Sequence, residues 1–362
     1  MDVQDPITLA QALIRCPSVT PKEAGALLLI ENLLEPLGFE VHRMTFSEPG
    51  TPDVENLYAR FGQQRPNLCF AGHTDVVPVG KEEAWTLPPF AAKIHDGVLY
   101  GRGAVDMKGS IACFIAATAR AIKKRGGIRG SISLLITGDE EGPSINGTVK
   151  VLQWLVDREE RLDACIVGEP TCPDDLGDMI KIGRRGSITG QLVVHGKQGH
   201  AAYPHQADNP VPKLAHILGV MSNITIDEGS ERFEPTNLQT TIVSVPNTAA
   251  NVIPAEARAT FNVRYNDRWS RPTIETWLRE LCTSAAKDAG ANIGLTFHGT
   301  GDVFFTQPGQ LVDAMTTAVR GVTGKVPKLS TSGGTSDARF IQAHCPVIEF
   351  GLVNRTIHQI DE

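Results

Sequence analysis

Ser131-Ile132-Ser133-Leu134-Leu135-Ile136-Thr137-Gly138-Asp139-Glu140-Glu141-Gly142 decides the fold. An apolar run that stops at glycine-bounded acids reads as a buried strand ending in a loop. Working outward, the pattern predicts a helix over 107–124 before it, then a helix over 149–158 and a strand over 163–167 after it. Further upstream, Asp5-Pro6 reads as an N-cap followed by proline at the first helical position. A second helix is expected over 23–34, and strands over 40–46, 56–61 and 67–71. Helices alternating with apolar strands define an α/β sheet. Packing gives no reason for three adjacent acids at a strand end, where like charges repel. A cation or a proton-transfer task accounts for them, and a solvated acidic turn is the alternative.

The pattern changes after residue 183. Strands over 187–195, 238–245, 258–265 and 291–297 interleave with helices over 210–222 and 272–289. This βαββαβ order suits a small α+β domain with one open sheet face. The first pattern resumes with a helix after Gly309 and a strand over 346–350. The expectation is therefore a catalytic domain of residues 1–183 and 300–362, interrupted by an inserted domain of residues 184–299.

At 362 residues the chain suits two domains, and 41% hydrophobic residues can bury a sizeable core. A net charge of −7 argues against general nucleic-acid binding. No apolar run is long enough for a membrane span, and the start lacks the basic region of a signal peptide. The seven cysteines are scattered without a Cys-x-x-Cys pair. Cys16, Cys69, Cys113 and Cys165 read as small buried hydrophobes in a reduced cytoplasmic protein.

Four more acid or histidine positions fall at strand ends or glycine turns. His73 and Asp75 are two apart, so on an extended segment they share a face. One can then ligate while the other orients it. Gly101-Arg102-Gly103-Ala104-Val105-Asp106-Met107-Lys108-Gly109 departs from the dinucleotide fingerprint, and Asp106 could also be an ordinary N-cap. Glu169 follows another strand, and His358 lies beyond the last. Loops gather at the carboxyl ends of parallel strands, so His73, Asp106, Glu141, Glu169 and His358 are expected to converge. Histidines with carboxylates suit catalytic zinc. Five ligands suit two metals with a shared carboxylate and water, which leaves Glu140 as general base.

The motifs His73-Thr74-Asp75, Gly103 to Gly109, Asp139-Glu140-Glu141-Gly142 and Gly168-Glu169-Pro170 resemble the di-zinc metallopeptidase family that includes aminoacylase, acetylornithine deacetylase and glutamate carboxypeptidase. The resemblance covers nearly the whole chain. It implies a mixed-sheet catalytic domain with an α+β lid and dimerisation insert, a homodimer formed through residues 184–299, and hydrolysis of a linear amide in a small molecule. It implies two zinc ions per chain, with cobalt as a substitute. His73 and Glu169 would hold one, Glu141 and His358 the other, and Asp106 both. Asp75 would orient His73, and His200 would steady the oxyanion; read alone, His200 is a surface loop histidine. For an acidic substrate, Arg184 and Arg264 match carboxylates. Backbone amides around Gly334 and Thr335 can form an anion nest. Asn251 and Asn354 are polar partners. In the family a helix follows the metal histidine. Nothing follows Glu362 in this sequence, so the resemblance implies a less supported His358 loop. A non-catalytic binding protein on this fold is the reading from another class.

Overall fold

The computed structural model describes residues 1–125 and 128–362. In chain order the elements are α1 (Pro6–Ile14), α2 (Ala26–Leu34), β1 (Glu40–Phe46), β2 (Val54–Phe61), β3 (Asn67–His73), β4 (Lys93–His95), β5 (Val98–Tyr100), α3 (Gly109–Arg125), β6 (Ser131–Thr137), α4 (Thr148–Val156), β7 (Ala164–Val167) and β8 (Met179–Lys181). They continue as β9 (Gly183–Arg184), β10 (Gly186–His195), β11 (Gly199–His200), α5 (Pro210–Ser222), β12 (Asn237–Ser244), β13 (Val252–Ile253), β14 (Glu256–Tyr265), α6 (Arg271–Asp288) and β15 (Asn292–Gly301). The last are β16 (Phe304–Phe305), α7 (Gln310–Thr323), β17 (Lys328–Ser330), α8 (Ala338–Ile341) and β18 (Val347–Glu349).

Two compact units divide the chain. The first holds Met1–Ile182, Thr306–Ser330 and Ser336–Glu362; the second holds Gly183–Phe305 with Thr331–Thr335. The second unit runs beyond the expected residue 299 because β16 pairs with β9, placing Phe304 opposite Arg184 and Phe305 opposite Gly183.

The first unit is built on a mixed eight-stranded sheet of order β1-β2-β6-β3-β7-β18-β8-β17. Its middle, β6-β3-β7-β18, is parallel throughout. Five of the seven β6 residues from Ser133 to Thr137 are fully inside, so the apolar run reads continuously rather than alternating. Leu9, Leu13, Leu27, Ile30, Ile111, Ile115, Leu134 and Ile136 form the core between helices and sheet. Asp5 caps α1 as expected, accepting the amides of Ile7 (3.1 Å) and Thr8 (3.3 Å). The second helix starts at Ala26 rather than 23. The Glu23 carboxylate stays outside it and accepts the amides of Gly25 (2.6 Å), Leu27 and Leu28 (3.1 Å).

The second unit has the β10-α5-β12-β14-α6-β15 order expected of the insert, in an antiparallel sheet of order β12-β14-β10-β15. Ile188, Leu192, Phe261, Val263 and Tyr265 face Leu214, Ile217, Ile274 and Leu278 of α5 and α6. The other face is open, and Ile242 and Val243 on β12 are more than half exposed. Asp227 fastens the 227–236 loop, accepting the amides of Gly229 (2.8 Å) and Thr236 (3.1 Å) and the Trp269 indole N–H (2.8 Å). Burial opposes its charge, but these hydrogen bonds with Thr236, Trp269 and Gly229 win and lower its pKa to about 2. A depressed carboxylate gives stability present above about pH 4 and lost as pH falls toward 2. After discounting for solvent screening, Asp227→Asn is expected to cost about 1 kcal/mol at pH 7 and nothing at pH 2, read by urea unfolding at the two pH values.

Cys69 and Cys165 are buried as expected, whereas Cys113 is exposed on α3 and Cys16 is half-buried. Helical periodicity turns position 113 outward despite its apolar neighbours. Among the described residues, no helix is long and apolar enough to cross a membrane.

Candidate metal centre

Four of the proposed ligands leave the carboxyl ends of adjacent parallel strands. His73 ends β3, Glu141 lies four residues past β6, Glu169 two past β7, and His358 in the loop after β18. Asp106 comes from the glycine loop before α3. That loop turns at Gly103, whose φ of 85° favours a residue without Cβ. Gly168 also has to be glycine: a Cβ there would meet the Phe70 ring at 2.4 Å and Met107 Cε at 2.7 Å.

The three adjacent acids separate by environment. Asp139 is buried and structural, its Oδ2 accepting the amides of Ile145 (2.8 Å) and Asn146 (2.9 Å). Asp75 accepts the amides of Glu140 (3.3 Å) and Glu141 (3.0 Å), which aims both side chains. The hydrogen bonds of the Asp75 carboxylate thus go to the acid loop. The His73 ring is held instead by the Asp75 carbonyl, 2.8 Å from Nδ1, while the Asp75 carboxylate lies 3.6 Å away. With Nδ1 donating to that carbonyl, Nε2 is the ring nitrogen left facing the other acids.

His73 Nε2 lies 3.0 Å from Asp106 Oδ1 and 3.8 Å from Glu169 Oε1. His358 Nε2 lies 2.8 Å from Glu141 Oε1 and 3.4 Å from Asp106 Oδ2. The two oxygens of Asp106 are therefore divided between the two histidines. His73, Asp106 and Glu141 form one group with donor atoms all within 4.8 Å of one another, and His73, Glu140 and Glu169 form another. Glu169 Oε1 is buried with no hydrogen-bond partner. An orphaned buried carboxylate oxygen beside other acids is costly unless a cation compensates it. Ligands about 2.1 Å from a tetrahedral ion stand about 3.4 Å apart, so the spacing, like the donor types, fits divalent zinc-like ions.

The charges of these side chains alone say the same. Burial works against a charged His73, yet Asp106, Glu169 and Asp75 outweigh it and hold its pKa well above the usual imidazole value. The Asp106 and Glu141 hydrogen bonds raise His358 to about 10. Burial, with Asp337, Glu141 and Asp106 nearby, pushes Glu140 up to about 8. Burial and its acidic neighbours raise Glu169 likewise. The clustered acids thus favour positive charge in the pocket.

Asn354 stands in the same loop as His358, its backbone N–H donating to the Cys172 carbonyl at 2.9 Å. The other proposed contacts belong to the second unit. His200 Nδ1 accepts the Ala202 amide at 3.0 Å on an exposed turn. The Asn251 carbonyl accepts the Ala201 amide at 2.9 Å. Arg184 Nη1 donates to the Ser332 carbonyl at 3.3 Å, beside Gly334 and Thr335. Arg264 Nε donates to Asn262 Oδ1 at 3.0 Å.

Sequence reasoning missed three charged residues behind the centre. Lys108 is wholly buried, donates to the Cys16 carbonyl at 2.7 Å, and has its pKa pushed down to about 8 by that burial. Arg102 and Glu362 form a buried ion pair. Only the glycine-rich setting of Arg102 hinted at any of this.

The fold matches that of M20 family metallopeptidases. An M20 family metallo-carboxypeptidase from Sulfolobus solfataricus superposes with a TM-score of 0.80 at 19% identity, covering 100% of this chain and 94% of that one. A dinuclear metal binding peptidase of the M20 family from Bacillus subtilis gives a TM-score of 0.68 at 19% identity, covering 96% and 88%. The model of peptidase family M20/M25/M40 matches residues 69–362, and the chain belongs to that family. A succinyl-diaminopimelate desuccinylase from Parvibaculum lavamentivorans is 55% identical over 358 residues, covering 99% of this chain and 90% of the relative.

Proposed function

We propose that the chain hydrolyses the amide of N-succinyl-LL-2,6-diaminopimelate, giving succinate and LL-2,6-diaminopimelate, in the cytoplasmic synthesis of lysine and diaminopimelate. The observation that carries the two-metal chemistry is the division of Asp106 between His73 and His358. The substrate follows from the full-length similarity to a desuccinylase.

His73 and Glu169 would hold one zinc, Glu141 and His358 the other, and Asp106 both. Bound there, the cations would act as Lewis acids on the amide carbonyl and lower the pKa of water toward roughly 7. Glu140, aimed by Asp75 and outside this ligand set, takes a proton from the attacking water. It returns that proton to the amide nitrogen as the C–N bond breaks, so the amine leaves neutral; the second proton of the water, still on the new carboxyl group, then passes to the amine or to solvent, leaving succinate as carboxylate. Asp75 keeps the acid loop in place through both transfers.

Arg184 and Arg264 are proposed for the substrate carboxylates on the match of guanidinium to carboxylate. Gly334, Thr335, Asn251 and Asn354 are proposed as further polar contacts, and His200 as an oxyanion donor. The open sheet face and exposed β12 edge of residues 184–299 support a homodimer.

A substrate panel tests the choice. N-succinyl-LL-2,6-diaminopimelate is expected to exceed N-acetylornithine by at least about 10²-fold in kcat/KM, since a site built for a second carboxylate is left unpaired by a substrate without one. Hydrolysis of N-acetylornithine without the succinyl compound would identify a deacetylase instead.

A further inference from the structure

We infer that Glu362 and Arg102 act as positioning residues that hold Asp106 and His358 in register, and thereby set the occupancy of the cation position these two share. The inference rests on the two-cation reading above. It assigns a task to a buried ion pair that no step of the proposed hydrolysis uses.

Glu362 Oε1 accepts three backbone N–H groups, from Gly103 (3.2 Å), Val105 (3.2 Å) and Asp106 (3.0 Å). Its backbone oxygen accepts a fourth, from Gly101, at 2.8 Å. Converging amides of a glycine loop make an anion site, and here the anion is a side chain of the same chain. Glu362 thus grips the loop at the amide of the very residue whose carboxylate is divided between the histidines.

Arg102 completes the link. Its Nη1 donates to Glu362 Oε2 and to the Gln359 carbonyl (3.1 Å), and its Nη2 to the His358 carbonyl (3.4 Å). The two side chains are 3% and 0% exposed, and the guanidinium lies 5.1 Å from the centre of the Trp85 ring. One buried pair therefore touches the amide of Asp106 and the carbonyl of His358. Charge-assisted bonds of this kind are strong and directional, and a planar fork suits Arg102 to three acceptors at once. His358 itself has a φ of 60°, a left-handed backbone that needs such external support in a non-glycine residue.

The two cation positions do not depend equally on this pair. His73 is fixed by the Asp75 carbonyl and the end of β3, and Glu169 by the end of β7. Neither touches Glu362 or Arg102 in any described contact. His358 has no strand to hold it. Loosening the pair should therefore release the Glu141–His358 position first. The segment itself stays tethered without Glu362, because Asp361 accepts the Thr86 amide (2.8 Å) and hydroxyl (2.7 Å).

The test is zinc titration of the metal-stripped full chain by calorimetry, with the apo-protein melting temperature and kcat and KM measured alongside. For Glu362→Ala the first equivalent should bind within about threefold of wild type and the second at least tenfold more weakly. Excess zinc should restore kcat with KM unchanged. Glu362→Gln keeps a carbonyl oxygen for the amides and should recover most of the second affinity. Arg102→Lys keeps the charge, loses the fork to the His358 and Gln359 carbonyls, and should reproduce the asymmetric loss from the other side of the pair. Wild-type binding at both positions in Glu362→Ala overturns the inference. So does an equal loss at both with a lowered apo melting temperature in all three variants, which marks a purely structural pair. If the wild-type protein itself takes up one equivalent, the two-cation reading falls and this inference with it, a result visible before any variant is made.

Discussion

Glu140→Gln is expected to lower kcat by about 10³-fold while both cations remain bound and KM changes little. Removing a general base typically costs 10²–10⁴ in rate. Gln keeps the shape and backbone support that the Asp75 carboxylate gives through the Glu140 amide, but it cannot carry the proton. Glu140 also falls in a possible ligand group with His73 and Glu169, so the cation count is the deciding reading. Two equivalents bound with turnover lost makes Glu140 the proton carrier. Loss of one equivalent makes it a ligand.

Asp106→Ala is expected to weaken both cation positions and abolish detectable hydrolysis, whereas Glu141→Ala weakens one. The contrast follows from Asp106 facing His73 with one oxygen and His358 with the other, while the ion pair of Glu141 is with His358. Metal content by atomic absorption after gel filtration at submicromolar free zinc separates them, with Asp106→Ala near zero and Glu141→Ala near one. Equal retention in the two variants would mean that Asp106 is not shared.

The strand-end acids were legible because a buried parallel strand must be apolar and its loop must face the common ligand edge. That placed His73, Glu141 and Glu169 from spacing alone. Asp106 was expected at the same edge, but its part as the shared carboxylate needed the resemblance, since a glycine turn before a helix equally suits an N-cap. The role of Asp75 was only half legible. His-x-Asp spacing puts the two on one face, but it cannot tell that the carbonyl holds the ring while the carboxylate holds the Glu140 and Glu141 amides. Arg102 and Glu362 had no local signature, because their partnership is made by tertiary closure across most of the chain. The short strands β8 and β17 and the β4–β5 hairpin were not expected. Each of these strands is only three residues long, too short for a readable periodicity. The second compact unit runs on to Phe305, where a two-residue strand pairs with β9 and leaves no periodicity to read.

The proposed hydrolysis requires metal-dependent release of succinate at the His73–Asp106–His358 centre. Stripping the protein of metal and returning zinc stepwise, while following succinate release from N-succinyl-LL-2,6-diaminopimelate, tests it most directly. No release without metal, and full release at two equivalents per chain, is the expected result. Succinate release at the full rate from metal-free protein, or two bound equivalents with no release, would contradict it.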